Sequence, residues 1–336
     1  MVKRYTLKEE RSESSGKIDF GKALNDAQLE VVQASGGPAL VIAGAGSGKT
    51  HTLTHRVAYL LERGVPADRV LLLTFTNKAA RAMTSRVASL IDSDTRRLWS
   101  GTFHSIANRF LREHAKHLGY PQEFTILDSD DAGVLMNTCL AEVSDQYLDR
   151  RFPRGRVLSK IHSYCLNTQS KVGEVLEEQY PYFAELEAPV RAVFHRYQTR
   201  KLEMGLMDFD DLLLNWKRLL VEVEQVGPSL ASRFEHVLVD EYQDTNRLQG
   251  ELIDLMAAGH GNIMVVGDDC QSIYGFRGAE YRNILEFPKR YPSCRQYRLE
   301  VNYRSNPQIL DLTNRSIAHN VNQFPKTLRP SRPDGL

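Results

Sequence analysis

The sequence predicts an α/β fold: a doubly wound parallel sheet with an α-helical segment inserted into it. Three observations carry that prediction. Short apolar runs bounded by turn residues, ALVIA at 39–43, VLLLTF at 70–75, HVLVD at 236–240 and NIMVVG at 262–267, alternate with stretches of helical pattern. Runs that are apolar throughout belong to strands covered on both faces. Three of the runs are followed by polar turns that carry functional-looking side chains, and ligands of such sheets bind beyond the carboxyl ends of the strands. Between residues 106 and 204 the strand signal fades into charged, aromatic, helical text such as SIANRFLREHAKHLGY and VRAVFHRYQTRKLEMG. Pro121, Pro153, Gly155, Gly173, Pro181 and Pro189 punctuate it into several helices.

Composition bounds the function. The 336 residues suffice for about two domains, and the hydrophobic content of 42% is that of an ordinary globular chain. The net charge of +1 confines any nucleic-acid surface to a local patch. Cys139, Cys165, Cys270 and Cys294 show no C-x-x-C or metal-finger spacing, which argues for a reducing compartment and against structural zinc. The opening MVKRYTLKEERSESSGK lacks the apolar stretch of a signal peptide. We therefore expect a polar tail over residues 1–22 and a cytoplasmic protein.

Residues 43–50 read AGAGSGKT directly after the first apolar run. A buried strand that ends in a glycine-rich turn and opens a helix aims backbone N–H groups and a helix dipole at phosphate. Ala45, Gly46, Ser47 and Gly48 would cradle the phosphates of a nucleoside triphosphate, and Lys49 would reach its β- and γ-phosphates. Ala43 stands where the G-x-x-x-x-G-K-T pattern has its first glycine. Downstream, VLVDEYQD at 237–244 places an acidic pair at the end of a second apolar strand. Thr50 and Asp240 are the expected Mg²⁺ ligands, and Glu241 is placed to orient the attacking water. ATP and Mg²⁺ are thus the expected cofactors.

Six further elements occur in the chain: LNDAQ at 24–28, TFTNKAARAM at 74–83, GTFHS at 101–105, DFDDLL at 208–213, VGDDCQSIYGFRGA at 266–279 and NYRS at 302–305. Gln28 carries the donor and acceptor needed to read an adenine edge. Gln271, after a strand expected to neighbour that of Asp240, is suited to sense the γ-phosphate. Tyr274, Phe276 and Arg277 offer two rings and a fixed cation for gripping single-stranded nucleic acid. Phe75 is a second stacking candidate, with Thr76 and Asn77 for phosphate oxygens and His104 as a further polar contact. DFDDLL reads as a helix start, not as a metal cluster. The run DRRFPRGRVLSKIHSY, with Arg150, Arg151, Arg154, Arg156 and Lys160, is either a solvated face or a duplex-contacting patch.

In this order, from about Leu24 to Ser305, the eight elements resemble the N-terminal half of a UvrD/Rep-like superfamily 1 DNA helicase. The resemblance implies a RecA-like ATP-binding domain in two parts, 23–105 and 205–295, a helical insertion at 106–204, and the start of a second RecA-like domain at 296–336. It implies that Tyr303 stacks on the base near Gln28, that Arg304 joins Lys49 in stabilising phosphate charge, and that the loop aromatics line a track for single-stranded DNA. It also implies 3′-to-5′ movement, single-strand/duplex junctions as partners, and a role in repair or replication restart. Three departures stand out. His51 replaces a common arginine, Phe276 a common tryptophan, and the text ends in RPSRPDGL, which reads as a cut before later motifs that include a further arginine. On that reading the chain binds ATP but hydrolyses it poorly. The alternatives are the motor half of a helicase-nuclease subunit and a nucleotide-gated single-stranded DNA-binding module.

Overall fold

A computed structural model of the protein describes residues 18–91, 95–143, 152–275 and 279–332. Ten strands occur among them: β1 (Ala39–Ala43), β2 (Val70–Thr74), β3 (Trp99–Thr102), β4 (Thr125–Ile126), β5 (Leu206–Met207), β6 (His236–Val239), β7 (Ile263–Gly267), β8 (Arg295–Leu299), β9 (Val301–Asn302) and β10 (Arg329–Pro330). Six form one sheet in the order β3-β2-β6-β7-β1-β8, with every neighbouring pair parallel. Residues 1–17 of the polar tail, the basic residues Arg150 and Arg151, and the DNA candidates Phe276 and Arg277 lie outside the described residues.

Burial follows position in the sheet. β1, β2 and β7 are buried at every residue, whereas the outer strands mix buried with half-buried positions in β3 and with half-buried and exposed ones in β8, because helices cover the central strands on both faces. The pleat divides the side chains between two cores. Leu40 and Ile42 enter one, while Ala39, Val41 and Ala43 enter the other. The first core continues into the helices Phe103–His114 and Phe209–Glu222 and holds Trp99 stacked on Phe110 at 4.9 Å.

Two expected boundaries shift. Helix Phe103–His114 packs into the main core through Ile106, Phe110 and Leu111, so residue 106 lies inside a helix of the sheet domain and not at the start of the insertion. A separate apolar core, from Met136 to Tyr197, belongs to the helices Ser129–Val143, Gly155–Thr168, Val172–Gln179 and Glu187–Glu203. The β4–β5 pair, Thr125 with Leu206 and Ile126 with Met207, ties its entry to its exit. At the other end, residue 296 lies within β8, which pairs with β1 from Ala39–Arg295 to Ala43–Leu299. The strand expected to open a second domain instead completes the first sheet, since sheet membership depends on the available partner as well as on local pattern. Beyond it, β9, helix Pro307–Ile317 and β10 form a small parallel unit.

DFDDLL is a helix start, as its pattern predicts. Asp208 caps helix Phe209–Glu222 in a reciprocal capping box with Asp211. No helix among the described residues is long and apolar enough to cross a membrane.

The insertion core contains His162, edge-on to Phe194 at 4.8 Å, with no hydrogen-bond partner for its Nε2. Burial, with the Lys201 charge, pushes its pKa down to about 4. The unfolded chain takes up a proton that the native state refuses, so stability is lost as pH falls below the unfolded value. For this one group the loss is up to about 1.4 kcal/mol per pH unit between about pH 6.5 and pH 4. Urea unfolding of the protein and of His162→Leu at about pH 7 and pH 5 is expected to show a flatter pH dependence in the variant; equal slopes would rule this origin out.

Candidate nucleotide and DNA site

The site is built where the strands end. The carboxyl ends of β2, β6, β7 and β1 lie side by side, and they deliver in turn Phe75, the Asp240–Glu241 pair, the Asp268–Gln271 segment and the phosphate loop. Gln271 thus follows a strand adjacent to that of Asp240, as expected.

After β1 the chain turns into helix Lys49–Glu62, with Gly46 at φ 70° and Gly48 at φ 85°. These left-handed values suit glycine, and space is also short. A Cβ on Gly48 would lie 2.7 Å from Gln28 Nε2, and one on Gly46 2.8 Å from Asn302 Nδ2. Ala43, in place of the pattern's first glycine, is the fully buried last residue of β1, so its methyl belongs to the core and not to the turn.

Lys49 Nζ lies 3.2 Å from Glu241 Oε2 and donates to Gln271 Oε1 at 3.4 Å. The Thr50 hydroxyl donates to Asp240 Oδ2 at 3.4 Å. The expected catalytic lysine, acid and amide, and both expected metal ligands, therefore meet at one point. Glu241 sits in the left-handed region at φ 50°, ψ 48°, a conformation that costs a non-glycine residue about 1–3 kcal/mol and clusters at functional sites. Gln243 holds it there. Its Nε2 donates to Glu241 Oε2 at 2.9 Å, while its Oε1 accepts the Asp268 N–H at 3.0 Å.

Burial, with the Glu241 charge, pushes Asp240 up to about 7 and Asp244 up to about 6. The pocket is thus rich in hard oxygen donors and short of positive charge, with Lys49 as the cation between them. Thr50 and Asp240 fit a magnesium ion by donor type and by closeness.

On the other flank, Gln28 is buried in a capping box with Asn25, and its Nε2 donates to the Ser47 carbonyl at 3.1 Å. The Tyr303 hydroxyl accepts from Asn25 Nδ2 at 2.7 Å, its ring half exposed. Gln28 and Tyr303 therefore flank the same face of the loop. The Tyr303 N–H donates to the Gly46 carbonyl at 2.9 Å, and buried Asn302 donates to the Ala45 carbonyl at 2.6 Å while accepting the Arg304 and Ser305 N–H groups. Arg304 is exposed beside Gly46. His51, on the outer face of its helix, meets the Ala23 carbonyl at 3.3 Å and the His55 ring at 4.2 Å.

Of the DNA candidates, Phe75 and Tyr274 come together with ring centroids 4.8 Å apart and planes inclined by 31°. Thr76 caps helix Asn77–Leu90 by accepting the Ala79 N–H, so its hydroxyl already serves the fold. Asn77 meets the Thr102 hydroxyl at 3.5 Å, joining the TFTN and GTFHS elements at one corner. His104 lies edge-on to half-exposed Phe209 at 5.9 Å, and burial lowers its pKa. Cys270 contacts Gln323 and Lys326, and burial pushes its thiol up, away from the reactive thiolate.

Sequence reasoning missed Gln243, Asn302, Asp268 and Lys326. The first three lie inside quoted motifs, where a polar residue flanked by motif positions was the available signal. Lys326 lies in none.

A six-stranded parallel sheet, with a glycine-rich loop after one strand and an acidic pair after another, is the architecture of the α/β P-loop class of nucleotide-binding proteins and is consistent with a RecA-like domain. The chain belongs to the UvrD/Rep helicase family: the family described as UvrD/REP helicase N-terminal domain matches residues 24–292. It is 39% identical over 313 residues to an ATP-dependent DNA helicase PcrA of Staphylococcus aureus, covering 93% of this chain and 42% of that protein. A PcrA of Staphylococcus epidermidis is 39% identical over 309 residues, covering 91% and 41%. The chain thus spans about two-fifths of the length of these relatives.

Proposed function

We propose that the protein is the ATP-binding motor portion of a DNA helicase that couples ATP hydrolysis to 3′-to-5′ movement along single-stranded DNA, acting at single-strand/duplex junctions in repair or replication restart. The observation that carries the coupling is the span of one short segment. Gln271 touches Lys49 at 3.4 Å, and three residues later Tyr274 meets the Phe75 ring at 4.8 Å. A change at the γ-phosphate is therefore felt within three residues of the stacked rings.

In this reading the backbone N–H groups of Ala45 to Thr50 bind phosphate oxygens, and Lys49 turns from Glu241 and Gln271 to the β- and γ-phosphates. Thr50 and Asp240 hold magnesium, which supplies neutralisation of phosphate charge. Glu241, freed from Lys49 and oriented by Gln243, accepts the proton of the attacking water. Gln271 donates to a γ-phosphate oxygen, and its swing moves Tyr274 against Phe75. Arg304 contributes charge at the phosphates, and Tyr303 with Gln28 takes the base. Asn77 and His104 extend the DNA track from its aromatic pair, and Phe276 and Arg277 are assigned to DNA binding on their residue types alone. This chain alone is expected to bind ATP and hydrolyse it slowly.

Steady-state ATP hydrolysis with and without a single-stranded oligonucleotide tests the reading. Stimulation by the oligonucleotide supports it, whether seen in this chain or only in a form extended at the C-terminus. Absence of stimulation in both counts against it. Removing one stacking face, Phe75→Ala, is expected to weaken single-stranded DNA binding by about 1–3 kcal/mol while nucleotide affinity stays put, as read by fluorescence anisotropy of labelled oligonucleotide and nucleotide.

A further inference from the structure

The segment after β9 returns to the nucleotide site through one buried side chain. Lys326 Nζ lies 2.7 Å from Asp268 Oδ1, 2.7 Å from Asp269 Oδ1 and 3.1 Å from Cys270 Sγ. The three charged side chains are 6%, 4% and 1% exposed. Asp269 also accepts the Phe324 N–H at 3.0 Å. The segment is itself fixed to the β9–β10 unit, since Gln323 donates to the Ile317 carbonyl at 2.9 Å and Asn314 exchanges two hydrogen bonds with the Leu328 backbone.

Asp268 is where this cluster meets the sensor. Its Oδ2 accepts the Gln271 side-chain amide, its Oδ1 takes Lys326, and its N–H goes to Gln243, the residue that holds Glu241. The Gln271 amide nitrogen is anchored on Asp268 through one of its two N–H donors. Swinging that nitrogen toward a γ-phosphate loosens the anchor, and a buried carboxylate that loses a donor keeps its desolvation cost uncompensated. An ammonium already bound to the same carboxylate removes that obstacle.

We propose that Lys326 is a positioning residue for γ-phosphate sensing: by satisfying Asp268 it lets Gln271 exchange between Asp268 and the nucleotide, and so couples the 323–328 segment to nucleotide state. The inference rests on the ATP-binding reading above. Without Lys326, Asp268 has Gln271 as its nearest compensating side-chain donor and retains it, so the preference for ATP over ADP falls while the shared α- and β-phosphate contacts persist.

The test is displacement of a fluorescent ADP by ADP and by a non-hydrolysable ATP analogue, which needs no turnover. Lys326→Ala is expected to lower the ratio of triphosphate to diphosphate affinity by about tenfold, the size of one charge-assisted hydrogen bond, with ADP affinity changed less than about twofold. Lys326→Arg is expected to restore the ratio. In a Gln271→Ala background, Lys326→Ala is expected to change it no further, as required if one residue acts through the other. Should Lys326→Ala not fold, Asp269→Asn/Lys326→Met removes the ammonium at constant cluster charge and is expected to show the same loss. A ratio unchanged in whichever folded variant lacks the ammonium, or an equal loss in the Gln271→Ala background, overturns the role of Lys326 alone. Failure of the unsubstituted protein to bind either nucleotide overturns the ATP-binding reading itself.

Discussion

Replacing Glu241 with glutamine is expected to lower ATP turnover by about 10²- to 10⁴-fold, the range supplied by a positioned general base, in any form of the protein that hydrolyses ATP. Nucleotide binding is expected to stay within a few-fold. The argument rests on what Glu241 touches. Its carboxylate meets Lys49 at 3.2 Å and the Gln243 amide at 2.9 Å, and its backbone is held at φ 50°. Glutamine keeps the size and an acceptor for Gln243 but cannot take a proton from water. It also removes one negative charge beside buried Asp240, whose pKa is raised first by burial and then by Glu241, so the variant does not lose a metal ligand. Single-turnover hydrolysis beside equilibrium nucleotide binding separates the two effects. Turnover within tenfold of the unsubstituted protein would assign the base elsewhere.

The largest stability effect is expected far from the nucleotide. Lys201, fully buried at the end of helix Glu187–Glu203, lies 2.6 Å from both Asp208 and Asp211. Burial opposes its charge, yet the two carboxylates more than offset this and raise its pKa. One cation cannot serve two anions equally. Burial and the Asp208 charge push Asp211 up to about 7, whereas at Asp208 the Lys201 charge and hydrogen bond outweigh burial and hold the pKa low. The Tyr197 hydroxyl also donates to Asp208 at 2.9 Å. Lys201→Met keeps the volume but leaves both carboxylates without a counter-charge, and removing one partner of a buried pair costs about 3–5 kcal/mol. Urea unfolding is expected to show a midpoint shift of that size, partly recovered when Asp208→Asn and Asp211→Asn are added. A change below about 1 kcal/mol would mean that water reaches the pair, as it does for surface ion pairs. The cluster joins the end of the helical insertion to the first turn of Phe209–Glu222, which explains two of the three acids of DFDDLL; the third, Asp210, accepts from Asn167 Nδ2 at 2.7 Å.

Much of the site is legible in the residues. AGAGSGKT gave the phosphate loop its place, and two of its glycines, Gly46 and Gly48, take up positive φ there. Gln271 was correctly expected beside the Asp240 strand, because apolar strands in parallel order leave few arrangements. Other features needed the third dimension. Thr76 looked like a phosphate contact, yet its hydroxyl caps a helix, and Ser/Thr serve both purposes with the same local pattern. The ring contact of Phe75 and Tyr274 joins residues 199 positions apart by number, and nothing local encodes it.

By itself the sequence determined the class of sheet, the identity and order of the phosphate-loop and acidic elements, and the likeness to UvrD/Rep helicases, since these depend on chemistry and spacing within a few residues. Tertiary structure alone decided that β8 closes the first sheet, that helix Phe103–His114 belongs to the sheet core, that Gln243 fixes Glu241, and that Lys326 comes back to Asp268. Each of these is a partnership between distant segments. A strand edge, an apolar face or a buried charge states only what it needs, and the fold determines which distant group meets that need.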